Sequence, residues 1–207
     1  MKIKETSSRK EKAAETRNKI YKCAEQLFTK YGFDDVSVDA IVEMAGVSKG
    51  SFYVHFESKD SLIAFLIADY VKKIDMDYQS YFDSFPANAP AADILLALIE
   101  KIVDVITDTI GYDHMKTVYK VHLTKALNTD SVLSYNRDLY KMFQAVIDRG
   151  IQQGEFKSDL PIDILTKHFV MAIRGLTYEW CIRYPDFDYK TQALIHFEML
   201  LTGIKTR

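Results

Sequence analysis

The sequence predicts an all-α protein of about nine helices. Apolar residues recur along most of the chain with a spacing near 3.6 residues, which is the period of an amphipathic helix. Only 8 of the 207 residues are Gly and 4 are Pro, so residues that interrupt helices are scarce. Hydrophobic residues make up 48% of the chain, which is enough to bury a sizeable core in one or two domains.

Local signals place the first two helices. A helix is predicted over 9–31, and Gly32 ends it. A second helix follows Ser37, whose hydroxyl can accept a hydrogen bond from a free backbone N–H. It stops at Gly46, where a left-handed residue can close a helix. Its buried face is predicted from residues at the i, i+3, i+4 and i+7 positions, namely Val38, Ile41, Val42 and Ala45.

A tight turn leads from the second helix into a third. Ser48 is predicted to cap this helix over 49–55, and Phe52 and Phe56 are expected to face the core. The residues left facing outward are Lys49, Gly50, Ser51, Tyr53 and His55. Two short helices joined in this way indicate a helix-turn-helix DNA-binding unit, whose second helix can enter a major groove.

The rest of the chain is predicted to form a larger helical body. Its helices are expected over 59–84, 91–110, 112–127, 131–153, 160–184 and 187–205. Segments that contain Pro, Gly or Asn separate most of these helices. The predicted domains are therefore a three-helix DNA-binding head over 1–58 and a body over 59–207.

Composition and spacing disfavour several classes of function. Cys23 and Cys181 are too few for a disulfide framework or a metal cluster. The histidines that could bind a metal do not have the spacing of metal ligands. These histidines are His114, His122, His168 and His196. No motif pairs a nucleophile with a base, so we expect neither an enzyme nor a cofactor. The polar N-terminus and the absence of an 18-residue apolar run predict a cytoplasmic protein without a membrane partner.

The stretch 37–62 resembles the DNA-binding domain of TetR-family transcriptional regulators almost position for position. The resemblance is carried by Val38, Asp39, Ala40, Ile41, Ala45, Gly46, Val47, Ser48, Lys49, Gly50, Phe52, Tyr53, His55, Phe56, Ser58, Lys59, Asp60, Ser61 and Leu62. It extends upstream through Ala24, Glu25, Gln26, Leu27, Phe28, Tyr31, Gly32 and Phe33. The resemblance implies a homodimer that binds double-stranded operator DNA and a body that binds a small-molecule effector.

Basic residues are concentrated beside the helix-turn-helix unit, although the net charge of the whole chain is −2. Residues 1–22 carry eight Lys or Arg against three Glu, and we interpret them as an arm that contacts phosphates. Alone, such a run would more often be a solvated face. The predicted DNA-binding residues are Thr16, Arg17, Ser37, Val38, Ser48, Lys49, Gly50, Ser51, Tyr53, His55 and Lys59.

The last two predicted helices are apolar over more than one face, which is typical of helices that are buried or shared with a partner. The resemblance implies that they form a four-helix dimer interface, where Gly175 could allow close approach. The residues predicted at this interface are Phe169, Ile173, Leu176, Leu194, Phe197 and Leu201. Periodicity alone favours the alternative, which is ordinary core packing.

Aromatic residues with polar tips are frequent in the body, and the resemblance implies an effector cavity among its helices. The residues predicted to contact the effector are Tyr78, Tyr81, Phe82, Tyr119, His122, Phe143 and Trp180. Asp104 and Asp108 would favour a cationic ligand if they faced inward. The alternatives are that these aromatic residues only build the core and that the two Asp lie on a solvated face.

These expectations combine into one predicted function. We predict a repressor that binds a palindromic operator and is released from it when the effector binds. Two alternatives remain open from the sequence, an activator of the same fold and a helical protein-binding adaptor without a DNA role.

Overall fold

The computed structural model describes residues 2–125, 129–157 and 159–206, except the side chains of residues 2–9 and 131. Over these ranges the chain is all-α, as predicted, and its only β-type pairing is an isolated bridge between Phe156 and Lys205. Two compact units are present. The first comprises residues 2–70 with Thr129, and the second comprises the other described residues. The proposed end of the DNA-reading part at residue 58 stays a prediction.

The first unit contains three helices and the start of a fourth. They are α1 (Lys2–Asp35), α2 (Val38–Ala45), α3 (Lys49–His55) and α4 (Lys59–Asp83). The backbone of α1 leaves helical geometry at Gly32, where φ is 81°, so the predicted helix end falls on a kink that glycine adopts without strain. α1 packs on α2 and α3. Their core is built from Ile20, Ala24, Phe28, Ile41, Phe52, Phe56 and Leu62.

Local hydrogen bonds fix the turn between α2 and α3 as the sequence predicts. The Ala40 N–H donates to Ser37 Oγ over 3.1 Å at the start of α2. Gly46 is left-handed with φ 63°, and its N–H donates to the carbonyl of Glu43. Ser48 Oγ then accepts a hydrogen bond of 3.1 Å from the N–H of Ser51, which caps α3. The turn therefore holds α3 at a set position relative to α2.

The second unit packs four long helices around one apolar core. After α4 come α5 (Ala91–Asp104), a π-helical turn (Val105–Ile110), α6 (Tyr112–Thr124), α7 (Asp130–Leu133), α8 (Asp138–Gln152), α9 (Ile162–Arg183) and α10 (Tyr189–Ile204). α5 packs on α8 and α10, and α9 packs on the same two helices. The most buried side chains of this core include Ile94, Leu95, Leu98, Ile99, Phe143, Ile147, Phe197 and Leu201.

The prediction of one continuous helix over 131–153 is wrong, because residues 134–137 separate α7 from α8. The hydroxyl of Ser134 accepts a hydrogen bond of 3.0 Å from the Asn136 N–H and so competes with the helical pattern. Arg137 has an extended ψ of 148° at the start of α8. Its side chain donates to Asp75 on α4 over 3.0 Å and 2.5 Å, so a long-range ion pair accompanies the break.

Candidate nucleic-acid interface

The side of α3 opposite its buried residue is open to solvent. Phe52 is fully buried against the helices of the first unit, with its ring near those of Tyr53 and Phe56. Lys49 and Gly50 lie on the exposed side, together with Tyr53, whose side chain is 51% exposed. A helix anchored by one aromatic side chain thus presents small, basic and hydroxyl-bearing residues outward. This chemistry suits phosphates and base edges in a major groove.

Lys49 is held by an ion pair at the exposed surface. Its Nζ lies 2.8 Å and 3.0 Å from the two carboxylate oxygens of Asp39, which is in the first turn of α2. The hydrogen bond to Asp39 raises the pKa of Lys49 above its ordinary value, so the ammonium stays charged. Asp39 therefore positions Lys49 at the edge of α3 and neutralises part of its charge.

Replacing Asp39 by Asn is expected to raise the affinity for duplex DNA about two- to fivefold at low salt. Lys49 would then reach a phosphate without giving up an ion pair, and one negative charge would leave the surface that is predicted to face DNA. Fluorescence anisotropy with a labelled duplex measures the change. Asp113→Asn, at an exposed position on α6, is the matched charge control and should bind like the wild type. Equal affinities of Asp39→Asn and the wild type would contradict this role of Asp39.

Two of the three serines predicted to contact DNA also cap helices. Ser37 and Ser48 accept the capping hydrogen bonds of α2 and α3, and the hydroxyls of Ser48 and Ser51 lie 3.0 Å apart. Val38 and His55 are half-buried at the start of α2 and the end of α3. Contact of these five residues with DNA stays a prediction, while the capping of α2 and α3 is confirmed.

The two predicted contacts on α1 lie at its surface. Thr16 donates from Oγ1 to the carbonyl of Lys12 over 2.9 Å. The guanidinium of Arg17 lies over the Phe65 ring, 4.2 Å from its centroid, and 5.2 Å from that of Phe56. The aromatic faces attract this cation while leaving it accessible to solvent. Arg17 is thus already positioned at the surface of the first unit, and its contact with phosphate stays a prediction.

Lys59 has a structural partner that the sequence did not indicate. Its Nζ donates to the backbone carbonyls of Phe33 and Val36, each over 3.0 Å. The carbonyls near a helix C-terminus lack intrahelical partners, and a lysine amine can satisfy them. The half-buried amine of Lys59 therefore holds the chain between α1 and α2, and its contact with phosphate stays a prediction.

The predicted effector contacts divide into core and half-buried residues. Tyr78, Phe143 and Trp180 are buried in the core of the second unit, as the core-packing alternative expects. The half-buried members of the set are Tyr81, Phe82, Tyr119 and His122. Effector contact by this second group stays a prediction.

Two of the half-buried effector candidates adjoin α9. The Tyr119 hydroxyl donates to the carbonyl of Arg174 over 2.7 Å, and burial raises the pKa of this phenol. Burial, and then the Arg174 charge, lower the pKa of His122, so its imidazole is predominantly neutral near pH 7. Neutral polar tips beside a guanidinium are groups that can hydrogen-bond a small molecule.

Asp104 and Asp108, the carboxylates considered for a cationic ligand, both have partners within the second unit. Asp104 is paired with Lys190, 2.9 Å away, and exposed Asp108 accepts a hydrogen bond from Thr107. Among the residues the structure describes, no three His, Cys, Asp or Glu side chains are grouped to hold a metal ion. Likewise, none of the described helices combines the length and apolar character needed to cross a bilayer.

Three of the predicted dimer-interface residues are part of the monomer core. Phe169, Phe197 and Leu201 are only 2%, 1% and 1% exposed, so the structure corrects their assignment to a partner surface. Both faces of α9 and α10 are apolar, and the sequence pattern did not separate them. Ile173, Leu176 and Leu194 are half-buried. The outward apolar residues of these two helices are instead Ile164, Met171, Tyr178, Ile182, Ile195 and Met199.

Comparison with known proteins connects this interface to a family. A family model described as "Bacterial regulatory proteins, tetR family" matches residues 20–65, which include α2 and α3. The uncharacterized HTH-type transcriptional regulator YdgC of Bacillus subtilis (strain 168) is 38% identical over 170 residues, covering 81% of this chain and 82% of YdgC. The chain belongs to the TetR family. This TetR-family member is accordingly a DNA-binding transcriptional regulator.

Solved structures share the fold of this TetR-family chain. A TetR-family transcriptional regulator from Pectobacterium atrosepticum has a TM-score of 0.75 at 18% identity, with 95% of this chain and 97% of that one covered. FadR from Bacillus subtilis, solved in complex with stearoyl-CoA, has a TM-score of 0.68 at 19% identity. Here 90% of this chain and 98% of FadR are covered. At these identities the likeness supports the all-α fold alone.

Proposed function

We propose that the protein is a homodimeric repressor that places two copies of α3 in the major groove of a palindromic operator and leaves it when a small molecule binds the body. The observation that carries this proposal is the exposed side of α3, where Lys49, Gly50 and Tyr53 lie opposite buried Phe52. Family membership supports DNA binding by this unit. We place the protein in the cytoplasm, where the operator would be.

An apolar stripe on α9 supports the homodimer. Met171, Gly175, Tyr178 and Ile182 are exposed and follow the spacing i, i+4, i+7 and i+11, which keeps them on one side of the helix. A Cβ built at Gly175 would meet no atom within 4 Å, so the backbone is open to close approach there. A contiguous apolar stripe is stabilised when a symmetric copy covers it.

Replacing Gly175 by Lys is expected to weaken dimerisation at least tenfold, because a charge would be buried at the point of closest approach. The open space around Gly175 lets the monomer fold normally. Sedimentation velocity over a concentration series measures the monomer–dimer equilibrium. Gln144→Lys adds the same charge at an exposed position on α8 and should dimerise like the wild type. Dimerisation of Gly175→Lys as tight as that of the wild type would contradict the proposed interface.

Half-buried polar groups in the second unit support an effector site. Tyr119 and His122 on α6 offer hydrogen-bonding tips, and Arg174 offers a cation flanked by the rings of Tyr135 and Tyr140. FadR, whose fold is shared, was solved with stearoyl-CoA, which is consistent with ligand binding by this architecture. An effector would release DNA only through unequal affinity for the DNA-bound and free conformations.

Selection from a pool of random duplexes tests the proposed function. A homodimer with two α3 helices should enrich an inverted repeat whose half-site centres lie about 10 base pairs apart, or a multiple of that spacing. Binding to the enriched duplex should fall steeply with salt, because phosphate contacts release counterions. Enrichment of no sequence would contradict the proposal and favour a protein-binding adaptor. An effector is then sought among hydrophobic small molecules that both raise the melting temperature and lower affinity for the duplex.

A further inference from the structure

The exposed side of α3 has an apolar residue at its centre. Successive residues of an α-helix are rotated by about 100°, so Gly50 and Val54 lie on the side opposite buried Phe52. The side chain of Val54 is 79% exposed, more than any other large hydrophobic side chain that the structure describes. Sequence reasoning did not single out this residue, although its spacing of four from Gly50 is visible in the sequence.

Gly50 allows this side of α3 to come close to another surface. A Cβ at Gly50 would meet only Ser48 Oγ, at 3.8 Å, so the helix backbone is open there. Residues four apart form one row along a helix, and the Val54 side chain would therefore reach the surface on which Gly50 rests. Lys49 and Tyr53 extend along the edge of this row with polar tips.

Valine limits what the row can recognise. A β-branched residue lowers helix propensity, and an exposed isopropyl group gains nothing until another surface covers it. Its side chain has no hydrogen-bond donor or acceptor, so it cannot bind a phosphate or the polar edge of a base. The apolar group that base pairs present in the major groove is the C5-methyl group of thymine.

We propose that Val54 packs against a thymine C5-methyl group in each operator half-site and makes that thymine part of the recognised sequence. The inference rests on the proposed binding of an operator by α3, and it adds Val54 as a specificity-determining residue. It requires the selected inverted repeat to contain at least one strongly preferred thymine in each half-site. Lys49 and Tyr53 would bind phosphates or base edges beside this thymine.

A double-mutant cycle on the duplex that the wild-type protein selects tests the contact. Each thymine and its symmetry mate are replaced by deoxyuridine, which removes only the methyl groups, and affinity is measured by fluorescence anisotropy. For the wild type, replacing one of these thymine pairs should weaken binding by about fourfold for each methyl group removed. For Val54→Ala, the same replacement should have a clearly smaller effect than for the wild type, because the two γ-methyl groups that would cover the thymine methyl are gone. The exposed position of Val54 means that this variant should fold normally.

A matched control and two outcomes complete the test. Leu123→Ala removes an exposed apolar side chain from α6 and should keep the wild-type sensitivity to deoxyuridine. Equal sensitivity of the wild type and Val54→Ala, or no sensitive thymine at all, would overturn the contact while operator binding stands. Failure of the wild-type protein to select any duplex would overturn both the contact and the proposed function.

Discussion

Replacing Lys49 and Tyr53 together by Ala is expected to weaken binding to the selected operator about a hundredfold, or about 2.8 kcal/mol. Both residues lie on the exposed side of α3, where Lys49 supplies a charge and Tyr53 a hydroxyl. Loss of one charged phosphate contact should also make the plot of log affinity against log salt concentration shallower, by about one unit of slope. Fluorescence anisotropy over a salt series measures both quantities.

The two replacements are not expected to disturb the fold. Phe52 anchors α3 in the core, and Ser48 caps it, so neither Lys49 nor Tyr53 is needed to form the helix. Helical circular dichroism and the melting temperature should therefore match the wild type. Lys116→Ala removes the same charge from an exposed position on α6 and should leave operator affinity unchanged. Wild-type affinity of the double variant would contradict the assignment of α3 as the recognition helix.

Replacing Asp75 by Ala is expected to destabilise the folded state by about 3 to 5 kcal/mol. The side chains of Asp75 and Arg137 are only 7% and 17% exposed, and the carboxylate accepts two hydrogen bonds from the guanidinium. Removing Asp75 leaves a buried cation without its counter-charge. Urea unfolding followed by circular dichroism should show a clear decrease in the midpoint.

A neighbouring pair and a second variant separate this effect from a general loss of charge. Asp77 on α4 pairs with Lys101 over 3.0 Å, but its side chain is exposed, so Asp77→Ala should cost less than about 1 kcal/mol. Adding Arg137→Met to Asp75→Ala should restore most of the stability, because no buried charge then remains. Equal midpoints of Asp75→Ala and Asp77→Ala would contradict the role of the buried pair.

The helix-turn-helix unit could be predicted from the sequence because its signals are local. Ser37, Gly46 and Ser48 determine where α2 begins, where it ends and where α3 begins, through hydrogen bonds that span at most four residues. Each of these contacts depends on residue type at a fixed spacing. The structure confirms all three of these residues in the predicted roles at the helix ends.

The differences between prediction and structure arise where distant residues meet. The ion pair of Asp75 and Arg137 joins residues that are 62 apart and accompanies the break between α7 and α8. No local sequence pattern indicates this pair. The amine of Lys59 is bound by carbonyls more than twenty residues away. In α9 and α10, apolar residues occupy both faces, so periodicity could not assign Phe169 to the core and Met171 to the surface.

The central claim is that this chain recognises DNA sequence through α3. The ratio of two affinities tests this claim most directly. Dissociation constants are measured at about 150 mM salt for the selected operator and for a shuffled duplex of the same composition. The account predicts that the operator binds at least about a thousandfold more tightly, and that the ratio falls sharply for the Lys49 and Tyr53 double variant. Equal affinity of the wild-type protein for the two duplexes would contradict it.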